Sequence, residues 1–242
     1  NNMSGMVDEF VDVLFYHGYD CEPWRCDGLN TTCPGLETAM ANIASYKAMY
    51  PEKTMWMTEL CYAVEFQNYP PNTTLCPQLP RADFEDSLQW GRMLFGDIDA
   101  GASGWIYWNY ILDAAGGPWL TSPEHDNPDG NYQQPLVIVD VERDTFALTG
   151  AYYAMAHFSK RVAEGMRYVR PRWGGRSKGD VSPTRPAYRR LDSANSNVYA
   201  AHFVDNSTAT HVVVLMNDRR EPTDQLVTID GASQVTVRLP PV

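Results

Sequence analysis

Three short apolar runs, Val11 to Tyr16, Thr54 to Glu59 and Ser103 to Asn109, are separated by connections of about forty residues, each containing a helix-patterned segment. Parallel strands need a crossover, usually a helix, and that crossover is right-handed, so the alternation predicts parallel β/α units with helices packed outside the sheet. In the first connection Leu36, Ala39, Met40, Ile43, Tyr46 and Tyr50 fall on one helical face, and Pro51 ends it. In the second, Phe84, Leu88, Phe95 and Ile98 do the same up to Gly101. Leu136 to Asp140 reads as a further short strand and Ala147 to Val162 as a helix. Units of this kind build either an open sheet or a barrel.

From about Arg167 the pattern changes. Val198 to Val204, His211 to Asn217, Gln225 to Ile229 and Val235 to Leu239 are β-branched runs separated by Asp, Asn, Ser and Gly turns, which predicts a small antiparallel β module. With 242 residues there is enough chain to bury a core in each part.

The balance of 19 Lys and Arg against 30 Asp and Glu gives a net charge of -11, which repels a phosphate backbone and argues against nucleic acid as a partner. No apolar stretch approaches the ~20 residues that span a bilayer, and the first residues, NNMSGMVDEF, lack a basic start and an apolar run. Glycosylation acceptor patterns nonetheless occur at Asn2, Asn30, Asn72 and Asn206. All five cysteines, Cys21, Cys26, Cys33, Cys61 and Cys76, are clustered, as expected for loops stapled in an oxidising compartment. A zinc site at Cys21, Cys26 and Cys33 is the rival reading, but there is no C-x-x-C pair, and the histidines show neither HExxH nor H-x3-5-H spacing. The expectation is therefore a secreted or lysosomal protein with no metal and no cofactor, its leader lying outside this chain.

In a β/α barrel the reactive groups stand at the carboxyl ends of the strands. Here those ends carry His17 and Tyr19, then Glu59, then Trp105, Trp108 and Asn109. Together they supply what binding and cleaving a sugar requires. An indole stacks on the ring, an amide and an imidazole bond its hydroxyls, and a carboxylate attacks the anomeric carbon. Each residue also has a plain reading, as a solvated rim carboxylate, a core histidine or a packing indole. Trp105 and Trp108 are odd and even along one strand, so strict alternation turns at most one of them inward.

The blocks MWMTELCYA, GWIYWNYILDAAGGP, IVDVERDTF and YYAMAHFSKRVAEGMR together resemble the carboxyl-terminal half of glycoside hydrolase family 30, the glucosylceramidase-like enzymes. The resemblance covers about residues 10 to 170, with the blocks in family order. It implies an α/β fold, the C-terminal part of a (β/α)8 TIM barrel over 1–166 (strands six to eight), followed by an incomplete antiparallel β-sandwich side domain over 167–242. It also implies a retaining glycosidase. Glu59, in the Thr-Glu that ends the seventh strand, matches the family nucleophile. His17 and Tyr19 match a histidine-x-tyrosine after the sixth strand, and Trp105, Trp108 and Asn109 match the Gly-Trp-x-x-Trp-Asn of the eighth, all as sugar-contacting residues.

Retention needs a second carboxyl roughly 5 Å from the nucleophile. In the family this is the Glu of an Asn-Glu-Pro motif on the fourth strand, a string that this chain lacks; Cys21-Glu22-Pro23 follows the wrong strand. The resemblance thus implies a fragment of a longer enzyme, lacking five β/α units and inactive alone. Glucosylceramide is the leading substrate, and with it contact with a membrane surface; a β-1,6-glucan, another β-glucoside, or a non-catalytic carbohydrate-binding role are the alternatives. The usual Gly-Gly-Pro-Asn-Trp is here Gly116-Gly117-Pro118-Trp119, and a long loop follows. Cys61, two residues beyond Glu59, should share its side of an extended strand. It is expected to be free, leaving Cys21, Cys26, Cys33 and Cys76 for two bridges.

Overall fold

The structure is a computed structural model and describes residues 9, 11–18, 36–60, 62–63, 84–113, 133–172, 198–218, 221–229 and 233–241. Tyr19, the five cysteines, the acceptor sites at Asn2, Asn30 and Asn72, and the Gly116 to Trp119 loop lie outside these residues. The contacts divide the chain into two compact units, residues 1–154 and 155–242.

In the first unit, β1 (Val13–His17), α1 (Leu36–Met49), β2 (Thr54–Glu59), the short β3 (Tyr62–Ala63), α2 (Phe84–Ala100) and β4 (Gly104–Trp105) follow in order. Strands β1, β2 and β4 form one parallel sheet, as the spacing of the apolar runs predicts, and β2 lies in the middle. Beyond β4 the chain keeps tracking β2: the Ile106 amide donates to the Met57 carbonyl (2.9 Å) and the Trp108 amide to that of Leu60 (3.0 Å). One face of this sheet is covered by the helices. Ile43 of α1, Met55 of β2 and Ala100 of α2 form a buried cluster, with Leu14, Tyr16 and Met40 packed against it. The other face carries Phe15, Trp56, Ile106 and Trp108, all exposed.

Helix α2 is buried from Trp90 to Asp97, with Trp90, Met93, Leu94 and Phe95 at 3% exposure or less and the charged Arg92 and Asp97 enclosed with them. The segment after β4 continues through β5 (Ile111–Asp113), β6 (Gln133–Gln134), β7 (Val137–Asp140) and β8 (Thr145–Leu148) to α3 (Gly150–Ser159), which crosses from one unit into the other. The sequence pattern extends this last helix over Ala147 to Val162, but residues 145–148 instead pair with β7 as an antiparallel strand. Thr149 marks the change, its buried hydroxyl accepting from the Tyr152 amide (3.3 Å) as a helix N-cap and donating to the Pro135 carbonyl (2.9 Å).

The second unit contains β9 (Arg167–Val169), β10 (Val198–Asp205), β11 (Thr210–Asn217), β12 (Thr223–Ile229) and β13 (Ser233–Leu239). Strands β9, β10 and β11 form an antiparallel sheet, and β12 and β13 a hairpin. Val198 and Ala200 of β10 pack with Leu239 of β13, so the hairpin shares a core with the sheet. The buried Asn217 ties the two together, its amide donating to the carbonyls of Glu221 and Pro240, both at 2.8 Å. No helix among the described residues is long and apolar enough to cross a membrane.

Helix α2 must stop where β4 begins, and Gly101 stops it with a φ of 112°, a conformation that L side chains rarely adopt. A Cβ at Gly101 would also lie 2.8 Å from Cγ of Lys47, whose ammonium is held by the Pro51 and Lys53 carbonyls. Gly101→Ala should destabilise the protein by about 1–3 kcal/mol in urea denaturation. Gly165→Ala, with φ 84° and no atom within 4 Å of the new Cβ, should cost less. Equal costs would contradict this account.

Candidate active site

Along β2, Met55 and Met57 are buried on the helix side, while Trp56 is 39% exposed on the other. Strict alternation would carry Glu59 to the buried side with the two methionines. The strand avoids this with one extra residue. Tyr16 pairs with Met57, but the next residue, His17, pairs with Glu59, so Thr58 is a β-bulge. A bulge of this kind re-aims the side chain that follows it. The Thr58 hydroxyl donates to the Tyr16 carbonyl (3.3 Å), filling the gap that the bulge opens. Glu59 therefore emerges on the His17 side, and Leu60, next in the chain, is fully buried.

Glu59 Oε2 lies 3.7 Å from His17 Nε2, with the two side chains 31% and 48% exposed. At that distance and exposure the pair contributes little to stability. Its chemical interest is placement, with a carboxylate and an imidazole side by side at the carboxyl end of adjacent parallel strands.

The two indoles of the third strand go different ways. Trp105 turns toward α2, where its Nε1–H donates to Asp97 Oδ2 (2.7 Å) and its ring stacks on Tyr107. Trp108 is 46% exposed, and the Trp108–Asn109 peptide is cis. The backbone carbonyl of Asn109 accepts from the Leu136 amide (3.3 Å). The structure thus brings His17 and Glu59 together and sets the Trp108 backbone against Leu60, while the Trp105 N–H is directed to Asp97; Tyr19 lies outside the described residues.

Several residues that shape this end of the sheet do not stand out in the sequence. Gly104 lies under the Trp56 indole so closely that a Cβ would be 2.7 Å from the ring. Asp97 is 1% exposed and accepts from both Trp105 and the Tyr16 hydroxyl (2.8 Å). Its signal in the sequence is an acid inside the apolar stretch LFGDIDA. His17 also borders a cleft of about 530 Å³ between β1 and α1, lined by Phe15, Tyr46 and Tyr50 among others but not by Glu59. Much of that lining is the helix-facing core side of β1, so the chemistry is assigned to the Glu59 end rather than to the cleft. Among the described residues, no group of three or more His, Cys, Asp or Glu could hold a metal ion.

Two solved structures share this fold. One is SrfJ from Salmonella typhimurium (TM-score 0.57, 21% identity, covering 84% of this chain and 36% of that one). The other is the endo-β-1,6-glucanase BT3312 (TM-score 0.55, 20% identity, with the same coverage). Among proteins of known sequence, the mouse lysosomal acid glucosylceramidase is 23% identical over 135 residues, which is 55% of this chain and 23% of that protein. Putative glucosylceramidase 4 of Caenorhabditis elegans is 32% identical over 77 residues, 32% of this chain and 13% of that protein. The matched part of the chain thus spans less than a quarter of the length of either relative.

The parallel sheet and its helix-covered face agree with the fold of these two structures. Residues 38–162 match the glycosyl hydrolase family 30 TIM-barrel domain, and the chain belongs to that family.

Burial pushes the Asp97 carboxyl up to about 6, against the opposing pull of its bonds from Tyr16 and Trp105. Burial, and then Asp97 itself, likewise push the Tyr16 hydroxyl upward. Because the folded value for Asp97 lies above the ordinary 3.8, the folded chain binds this proton more tightly than the unfolded one. The stability contributed is complete below pH 3.8 and is lost as pH rises through about 6, an effect on the order of 2–3 kcal/mol. The unfolding free energy of the parent minus that of Asp97→Asn should therefore fall from pH 4 to pH 7. A difference independent of pH would contradict the assignment.

Proposed function

We propose that this chain is the nucleophile-bearing part of a retaining β-glycosidase, with glucosylceramide as its leading substrate. The observation that carries the reading is Glu59, turned by the Thr58 bulge to face His17 at 3.7 Å at the end of the middle strand of a family 30 domain. An ionised carboxylate there can attack an anomeric carbon, His17 and Asn109 can bond sugar hydroxyls, and Trp108 offers an exposed ring for stacking. Tyr19 completes the proposed sugar contacts, whereas Trp105, expected from the sequence to join them, is turned to the helix side of the sheet by its bond to Asp97 and is left out of the proposed contacts.

The acid/base carboxyl has to come from elsewhere, because the family supplies it from an Asn-Glu-Pro motif absent from these 242 residues. On this reading the described sheet is strands six to eight of a (β/α)8 barrel. Its exposed Phe15, Trp56, Ile106 and Trp108 form part of the inward face that the other strands close over. Residues 167–242 are read as the side domain of the same enzyme, a β-sandwich. The two relatives named as glucosylceramidases support the substrate, and the lysosomal one supports a lysosomal or secreted location.

A β-1,6-glucan or another β-glucoside is the second reading, because Gly116-Gly117-Pro118-Trp119 departs from the family loop, and loops on this face decide which aglycone fits. Comparing kcat/KM on micellar glucosylceramide and on a β-1,6-linked glucan decides between them.

In the full-length protein, Glu59→Ala should reduce hydrolysis of an aryl β-glucoside at least about a thousandfold. Azide should restore turnover and give the α-glucosyl azide. Formation of the β-azide would instead make Glu59 the acid/base, and unimpaired hydrolysis would remove it from the chemistry. Hydrolysis by residues 1–242 alone would overturn the need for an acid outside them.

Passage through the secretory route also makes a prediction at Asn206, which is exposed in the turn between β10 and β11. Asp205 shapes that turn, accepting from the Ser207 amide and hydroxyl and from the Thr208 hydroxyl. The protein from a eukaryotic secretory host should lose a glycan from Asn206 on endoglycosidase treatment, and Asn206→Gln should lack it. An unmodified Asn206 peptide would count against this route.

A further inference from the structure

Asp97 does something in this fold that neither burial nor helix formation requires. Its two carboxylate oxygens accept separately, Oδ1 from the Tyr16 hydroxyl at 2.8 Å and Oδ2 from the Trp105 indole N–H at 2.7 Å. Those donors stand on β1 and β4, the strands on either side of β2. Tyr16 pairs with Met57, and Met57 pairs with Trp105, so all three lie in one row across the sheet. Across two strand spacings the outer strands are roughly 9–10 Å apart. One carboxylate on α2 therefore gathers both outer strands over the fully buried Met57.

The next row is where the register slips. Directly after Tyr16 and Met57 come His17 and the bulged Thr58, followed by Glu59. A parallel ladder can accommodate an extra residue in more than one way, and a slip of one residue turns the following side chain to the opposite face. Whatever fixes the row below the bulge also fixes which way Glu59 points. We propose that Asp97 is a positioning residue for the glycosidase reaction: by holding Tyr16 and Trp105 on either side of Met57, it locks the bulge that aims Glu59 at the substrate beside His17.

The role rests on Glu59 being the nucleophile. Asp97→Asn keeps the shape but replaces one acceptor with an amide donor facing a donor. Tyr16→Phe keeps the ring and removes one of the two bonds. In the full-length protein, assayed well below its melting temperature, each variant should lower kcat about tenfold or more while KM changes less than about threefold, since misplacing a reacting group by a fraction of an ångström is enough. The double variant should be about as impaired as Asp97→Asn alone, because both changes act through one contact.

A lower melting temperature with parental kcat in both single variants would reduce Asp97 to a structural group and overturn the proposal. Should Asp97→Asn fail to fold, Tyr16→Phe decides alone. Glu59→Ala runs beside them: full activity there overturns the reading of Glu59 and the positioning role with it, whereas its loss alongside unimpaired Asp97 and Tyr16 variants overturns the positioning role only.

Discussion

One extra residue in a six-residue strand decides which face of the sheet Glu59 takes. Without the bulge at Thr58, Glu59 would follow Met55 and Met57 into the helix-facing core, where an unpaired carboxylate is costly and can reach no substrate. With it, the same chain direction buries Leu60 and presents Glu59 beside His17. The surrounding structure works to keep that slip in place. The Thr58 hydroxyl bonds the Tyr16 carbonyl, the segment after β4 hydrogen-bonds to Met57 and Leu60 on both sides of the bulge, and Asp97 grips the row beneath it.

The domain thereby divides its labour between two faces of one sheet. The helix-covered face spends its apolar side chains on packing, through Ile43, Met55 and Ala100, and its polar ones on the buried bonds of Asp97. The opposite face keeps large rings exposed at Phe15, Trp56 and Trp108 and carries the carboxylate and imidazole at its carboxyl end. That is the division expected of a barrel wall, whose stability lies toward the helices and whose chemistry lies at the strand ends. The close fit of Gly104 beneath Trp56 belongs to the same economy, since any side chain there would push the ring off the strand.

Much of this was legible in the residues. Apolar runs spaced by helical faces gave the parallel order of β1, β2 and β4, and the β-branched runs after Arg167 gave β10 to β13. Glu59, Trp108 and Asn109 drew notice because polar or amphipathic groups at strand ends are chemically conspicuous. The bulge was not legible, because TMWMTE carries no glycine or proline to announce an irregularity, and the slip exists only relative to β1. Asp97 escaped notice for a related reason: a helical acid reads as a solvated group until the fold closes Tyr16 and Trp105 around it. Ala147 and Leu148 read as helix because their composition suits either state, and pairing with β7 decided it.

The central claim is that Glu59 forms a covalent bond to the sugar. Treating the full-length protein with an activated 2-deoxy-2-fluoro-β-glucoside, which traps a glycosyl intermediate by slowing its hydrolysis, and sequencing the labelled peptide tests it most directly. A fluoroglucosyl mass on Glu59, within the sequence TMWMTEL, is the predicted result. A label on any other carboxylate would contradict the account.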